Sequence, residues 1–283
     1  MNTTIAQRPL NSALCDAKFS CLRWLLKNIG PISDGIKVGW KYGFDSGQSL
    51  DYVYQNKARG LGPIGKLVDR CYLNSAGWSG IRSRGILLKE AILWGVRQSE
   101  VYSKAAIELV DVASGPGRYV LDLLSSGGIK PERINARMYD VDERGLEQGR
   151  QRAQKLGLQN VQFVHRDAFV SSAHYALGKA DVAVVSGILE LFSNNDIVSQ
   201  SLGATRDLLR DDGYLIYTNQ PWHPDLEFIS KVLTNRDGEA WEMRCRPQQE
   251  IDELVQSAGF SKLTTRYTKG GIFSVSVAVK TQS

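Results

Sequence analysis

Four short stretches between residues 107 and 190 hold the side chains that could do chemistry, and each accompanies an apolar run. In the first, Asp111 lies in the run 107–112, and Ala113-Ser114-Gly115-Pro116-Gly117 turns the chain toward Arg118. Gly115 and Gly117 carry no Cβ, so a ligand can approach bare backbone N–H groups where a helix begins. A dinucleotide fingerprint needs Gly or Ala at position 120, where Val120 stands, so the turn suits a mononucleoside better than a pyrophosphate. In the second stretch, Asp140 closes the run 135–139, where an acid can accept from two ribose hydroxyls. Asp142 stands where a helix N-cap belongs, so ribose is assigned to Asp140 and capping to Asp142. In the third, Asp167 follows the run 161–164; it can accept from an adenine amino group or cap its own turn. In the fourth, Ser186-Gly187-Ile188-Leu189-Glu190 follows another apolar run, and Glu190 reads either as a general base or as a surface acid.

Histidine and cysteine add little to this set. His165, His174 and His223 have no spacing that suggests a metal or a triad; His223, in Pro221-Trp222-His223-Pro224, is the second candidate base. Cys15, Cys21, Cys71 and Cys245 form no C-x-x-C and no Cys/His ligand pattern. No metal is therefore expected, and a reduced, cytoplasmic protein is. Residues 1–10 lack the short apolar core of a secretory signal, and no apolar run approaches the ~20 residues that span a bilayer.

The elements that must position these residues alternate. Strands are expected at 107–112, 135–139, 161–164, 180–186 and 214–218, and helices at 118–125, 143–156, 195–209 and 248–257. Residues 210–213 read as a sharp turn into the fifth strand. Two closing strands, 261–267 and 272–280, flank Lys269-Gly270-Gly271, a hairpin signal. Strand alternating with helix predicts an α/β fold with a doubly wound, Rossmann-like sheet of seven strands and an antiparallel closing hairpin. The first hundred residues lack this alternation. They predict a mostly helical N-terminal domain over residues 1–100, with helices at 12–28 and in two pieces over 64–100, before the alternating domain 101–283.

Taken in this order, the four stretches resemble the class I S-adenosylmethionine-dependent methyltransferases, over roughly residues 101–283. The resemblance implies that Asp111, Ala113, Ser114, Gly115 and Gly117 hold the methionine part of S-adenosylmethionine. Asp140 with Val141 would hold the ribose, Asp167 with Ala168 the adenine, and Ser186 would line the exit of the fourth strand. Ala113 departs from the glycine the family often has there. Further stretches, Tyr42-Gly43-Phe44-Asp45-Ser46-Gly47, Leu50-Asp51-Tyr52-Val53-Tyr54 and Asp69 through Arg84, are similar to a little-characterised methyltransferase family sometimes fused behind an α/β-hydrolase domain. That similarity covers about residues 40–283 and implies no substrate.

Charge divides unevenly. Residues 1–100 hold 14 Lys/Arg against 7 Asp/Glu, the rest 21 against 23, and the first hundred also hold 10 of the 25 aromatic residues. A basic, aromatic N-terminal cap suggests an anionic or aromatic acceptor, small or lipid-like, met by Tyr52, Tyr72, Trp78, Arg82 and Arg84. The fourth-strand tip lacks the Asn/Asp-Pro-Pro-aromatic turn of amino-methylating nucleic-acid enzymes, which argues against a nucleic-acid partner. An RNA methyltransferase using the basic cap, and a non-catalytic nucleoside-binding module, stand as alternatives. Lys18, Arg23 and Lys27 beside Phe19 and Trp24 allow residues 12–29 to meet the inner membrane surface peripherally, or to dock on the body of the protein.

Overall fold

Residues 13–281, apart from 104, 168 and 170–178, are described by a computed structural model. They form two compact units, one of residues up to Arg82 with His223–Arg244, the other of Ser83–Trp222 with Cys245–Ser283.

The first unit begins with α1 (Ala13–Asn28), α2 (Asp34–Tyr42), α3 (Gly47–Gln55) and α4 (Gly62–Leu73), followed by the start of α5 (Ala76–Tyr102). Ser33 and Ser46 cap α2 and α3, each accepting a backbone N–H through its hydroxyl. These two helices lie in the Gly- and aromatic-rich stretch that shows no helical pattern in sequence. Asp69, fully buried on α4, is the hub of the unit. Its carboxylate accepts from the Ser33 hydroxyl (2.6 Å), the Gly35 N–H (2.8 Å), the Tyr52 hydroxyl (2.6 Å) and the Arg59 N–H (2.8 Å). A buried charge with this many donors is compensated rather than exposed to a ligand.

In the second unit the apolar runs become β1 (Ile107–Val112), β2 (Ile134–Asp140), β3 (Val161–His165), β4 (Ala180–Val185), β5 (Leu209–Asn219), β6 (Phe260–Tyr267) and β7 (Ser274–Lys280). Their order is β3-β2-β1-β4-β5-β7-β6; β1 to β5 run parallel, and β7 is antiparallel to both β5 and β6. Both faces are covered, as a parallel sheet requires. Leu88, Ile92 and Val96 of α5 pack on one face with α6 (Arg118–Ser125) and α7 (Glu143–Lys155). On the other lie α8 (Asn195–Leu208) and α10 (Gln248–Ser257).

Three expectations are corrected. The boundary expected near residue 100 falls between Arg82 and Ser83, inside α5, because Leu88, Ile92 and Val96 repeat every four residues and bury completely on the sheet. The turn expected at 210–213 belongs to β5, where a register irregularity against β4 and a left-handed Asp212 (φ 61°) absorb it as a bulge. Finally, the segment His223–Arg244, inserted between β5 and α10, carries an unforeseen helix, α9 (Leu226–Val232), and belongs to the first unit.

Candidate functional site

In the second unit, β1 has β2 on one side and β4 on the other, so the loops leaving their C-terminal ends diverge to opposite faces and open a crevice. The loop after β1 is held in an unusual shape. Ala113, Gly115 and Gly117 all adopt left-handed backbone, with φ of 57°, 54° and 66°. The Ser114 N–H donates to the Tyr139 carbonyl (2.9 Å), and the Gly115 N–H donates to Asp140 Oδ2 (2.7 Å). Asp140 Oδ1 accepts from the Asp142 N–H (2.8 Å), while Asp142 caps α7 as expected. One carboxylate at the tip of β2 thus clamps the Gly-rich loop to its own turn.

Ala113 carries a Cβ where the left-handed region costs an L-residue about 1–2 kcal/mol. Ala113→Gly is therefore expected to raise stability by about 0.5–1 kcal/mol after the extra backbone entropy of glycine is deducted. The urea midpoint measures it; a lowered midpoint would contradict the strain.

Asp111 is fully buried one residue before the end of β1. Its Oδ1 accepts from the Tyr119 hydroxyl (2.6 Å), and its Oδ2 has no hydrogen-bond partner. Burial, opposed by the Tyr119 bond and aided by the nearby Asp140 charge, pushes its carboxyl up to about 8. Because the folded value lies above the unfolded one of about 3.9, the stability this group contributes is complete below about pH 4. It is lost as pH rises through about 8. Asp111→Asn, an isostere of the protonated acid, should therefore gain on the wild type between pH 5 and pH 9 in urea midpoints; a constant difference would contradict this.

The other cofactor residues expected from the sequence sit near this loop in varying states. Val141, beside Asp140, is 49% exposed, an apolar surface next to the acid. Asp167 is exposed and its Oδ1 accepts from the Phe169 N–H (2.9 Å), the turn-capping role. Ala168 and His174 lie outside the described residues. Ser186 is buried at the end of β4, and the next N–H, that of Gly187, donates to Thr218 Oγ1 (3.0 Å).

The expected catalytic and acceptor residues are otherwise engaged. Glu190 is buried and paired with Arg84 (3.2 Å), which also stacks over the Phe273 ring. Cys245 nearby is pushed up to about 11, first by burial and then by the Glu190 charge. His223 Nδ1 accepts from the Asp225 N–H (3.0 Å), so the neutral ring carries its proton on Nε2. Burial holds its pKa below the usual imidazole value. Neither group has the open, proton-accepting geometry expected of a base. Arg82 donates to the Leu73 carbonyl (2.7 Å). Tyr52 is bound to Asp69, and Tyr72 and Trp78 stand in an aromatic chain, Trp40–Phe44–Tyr72–Trp78–Trp241. Burial first, and Asp69 second, raise both phenols above their usual range. Each of the five side chains expected to meet an acceptor thus has a partner within the protein.

Two residues escaped the sequence analysis. Tyr119, at the start of α6, donates to Asp111 across the loop and lies inside the motif without a signal of its own. Arg246 is fully buried and donates to the Leu189 carbonyl (2.8 Å) and to Asn195 Oδ1 (3.0 Å), fixing the turn after β4. Nothing local in the sequence marks it.

The sequence profile of a family described as "Putative methyltransferase" matches residues 2–280, almost the whole chain. The chain belongs to that family. It is 42% identical over 280 residues to a protein of Escherichia coli K12 described as "Uncharacterized protein YnbC", covering 96% of this chain but 46% of that one. The chain thus spans about half the length of that relative. Among solved structures, it resembles a possible exported protein from Bordetella parapertussis, with a TM-score of 0.67 at 16% identity over 96% and 98% of the two chains. It also resembles magnesium protoporphyrin IX methyltransferase from Synechocystis with bound SAH, at a TM-score of 0.59 and 16% identity over 87% and 99%. At such identities these likenesses establish the methyltransferase-type fold of the family member. Among the described residues no helix is long and apolar enough to cross a membrane, and no His/Cys/Asp/Glu group is arranged to hold a metal ion.

Proposed function

We propose that the chain is an S-adenosylmethionine-dependent methyltransferase acting on a small-molecule or lipid-like acceptor. The observation that carries this reading is the loop after β1, left-handed at Ala113, Gly115 and Gly117 and drawn onto Asp140 by the Gly115 N–H. The residues fit the cofactor by their chemistry. Asp140 keeps lone pairs for ribose hydroxyls, and exposed Val141 offers an apolar surface for a purine. Asp111 Oδ2, buried and without a partner, is an acceptor waiting for a cationic donor such as the methionine ammonium. Asp167, with or without Ala168, is the adenine partner in this reading, and Ser186 lines the same rim.

When bound, S-adenosylmethionine supplies an electrophilic methyl group for in-line displacement. The chain's own work is then to hold the reacting atoms close and to keep water out. A base is needed only for a nucleophile that must first lose a proton. With Glu190 salt-bridged and His223 Nδ1 accepting from the Asp225 N–H, an acceptor whose nucleophile is already deprotonated is favoured. An anionic acceptor is supported by the basic surplus of the first hundred residues, though Arg82 and Arg84 are committed elsewhere.

The test combines calorimetry with transfer of labelled methyl groups to fractionated cell extract. Micromolar binding of S-adenosylhomocysteine and label in a small organic acceptor are expected. Proton release on binding, read in buffers of different ionisation heat, is expected as a cation lowers the raised Asp111 carboxyl. Binding without any transfer would favour a nucleoside-binding module instead, and no binding would overturn the reading.

A further inference from the structure

The first unit presents two sets of large apolar side chains to solvent. On α1, Phe19 and Leu22 lie toward the protein, Phe19 beneath the Lys231 ammonium of α9, and the Leu26 carbonyl accepts from the Trp40 indole. Elsewhere on α1, Trp24 (60% exposed) and Leu25 face solvent, as does Ile29 just past its end. On α4, Gly65, Asp69 and Leu73 face inward at four-residue spacing, whereas Leu61 (77%), Ile64 (71%) and Leu67 (60%) face outward. The two sets are neighbours. The Leu61 N–H donates to the Ile32 carbonyl (2.8 Å), and Ser33 bridges Gly60, so the chain leaving α1 lies against the start of α4. A Cβ on Gly65 would lie 2.4 Å from that same Ile32 carbonyl, which keeps the two elements in close contact.

Along the two stretches that carry these side chains, every exposed charge is positive. Residues 17–32 contain Lys18, Arg23 and Lys27 and no acid. Residues 57–71 contain Lys57, Arg59, Lys66 and Arg70, all exposed, and their single acid, Asp69, is the buried hub of the unit. Exposed Trp, Leu and Ile ringed by Lys and Arg match the interface of a membrane with negatively charged headgroups. The apolar groups enter the acyl boundary while the cations stay at headgroup level.

We propose that the outward faces of α1 and α4 dock the protein peripherally on an anionic lipid surface. The sequence suggested membrane contact through residues 12–29 alone; the outward side of α4 adds a second apolar set to it. The docking is independent of the methyl-transfer reading and stands or falls separately.

The experiment is co-sedimentation of the full chain with phosphatidylcholine vesicles, plain or containing about one-third phosphatidylglycerol. Binding at least tenfold tighter to the anionic vesicles, falling with added salt, is expected. Ile64→Asp with Leu67→Asp should weaken it about tenfold or more, and Lys66→Glu with Arg70→Glu should remove the preference for negative lipid. Trp24→Ala with Leu25→Ala, on the other helix, repeats the first arm should either pair fail to fold by near-ultraviolet circular dichroism. Equal binding to both vesicles, no binding at low salt, or indifference to every folded variant would overturn the proposal. So would a concentration-dependent dimer that these variants dissociate, since a second copy would then be the occupant.

Discussion

Asp140→Ala is expected to weaken S-adenosylmethionine binding by roughly 30- to 1000-fold, or about 2–4 kcal/mol. Two losses combine in this one substitution. A ribose would lose charge-assisted bonds to a carboxylate, which are roughly twice as strong as neutral ones. The loop after β1 would also lose its anchor, because Asp140 Oδ2 receives the Gly115 N–H and Oδ1 the Asp142 N–H. Asn would restore only one of the two bonds, since its amide oxygen accepts and its nitrogen does not. Calorimetry with the folded Asp140→Ala protein reads the result, and unchanged affinity would remove Asp140 from the cofactor site.

Arg84→Met is expected to destabilise the protein by about 3–5 kcal/mol, among the largest effects of any single change here. The pair it breaks is buried on both sides, with side-chain exposures of 4% for Arg84 and 6% for Glu190. Without Arg84 the Glu190 carboxylate is left in a dry environment, where its Oε2 already has no hydrogen-bond partner. Replacing both, Arg84→Met with Glu190→Leu, should recover most of the loss, because an apolar pair of similar size avoids the desolvation of two charges. Urea unfolding of the two single variants and the double one measures this cycle. Additive losses would mean the pair is not coupled, and Glu190 would again be available as a base.

The sheet and its order of motifs were readable because they rest on local signals. A run such as 107–112, apolar at four of its six positions and β-branched at three, reads as a buried strand, and the acids at 140 and 167 stand at fixed offsets from their strands. The helices α2 and α3 were not readable, since a Gly- and aromatic-rich stretch has no helical period and their formation depends on the Ser33 and Ser46 caps and the Asp69 hub. The acceptor residues were ambiguous in sequence for a related reason. Tyr52, Tyr72, Trp78 and Arg82 are the residue types a basic aromatic site uses, and equally those that fill a small helical core.

The amino-acid order alone determined the fold family, the cofactor-type loop and the surplus of positive charge, because each depends on spacing within a few residues or on composition. Tertiary structure alone decided which charges are free. Arg84 meets Glu190 across 106 positions of sequence, and Asp69 gathers donors from three separate segments. Desolvation acts on spatial neighbours, whatever their distance along the chain, so two arginines that look alike in sequence become a helix-end donor and half of a buried ion pair.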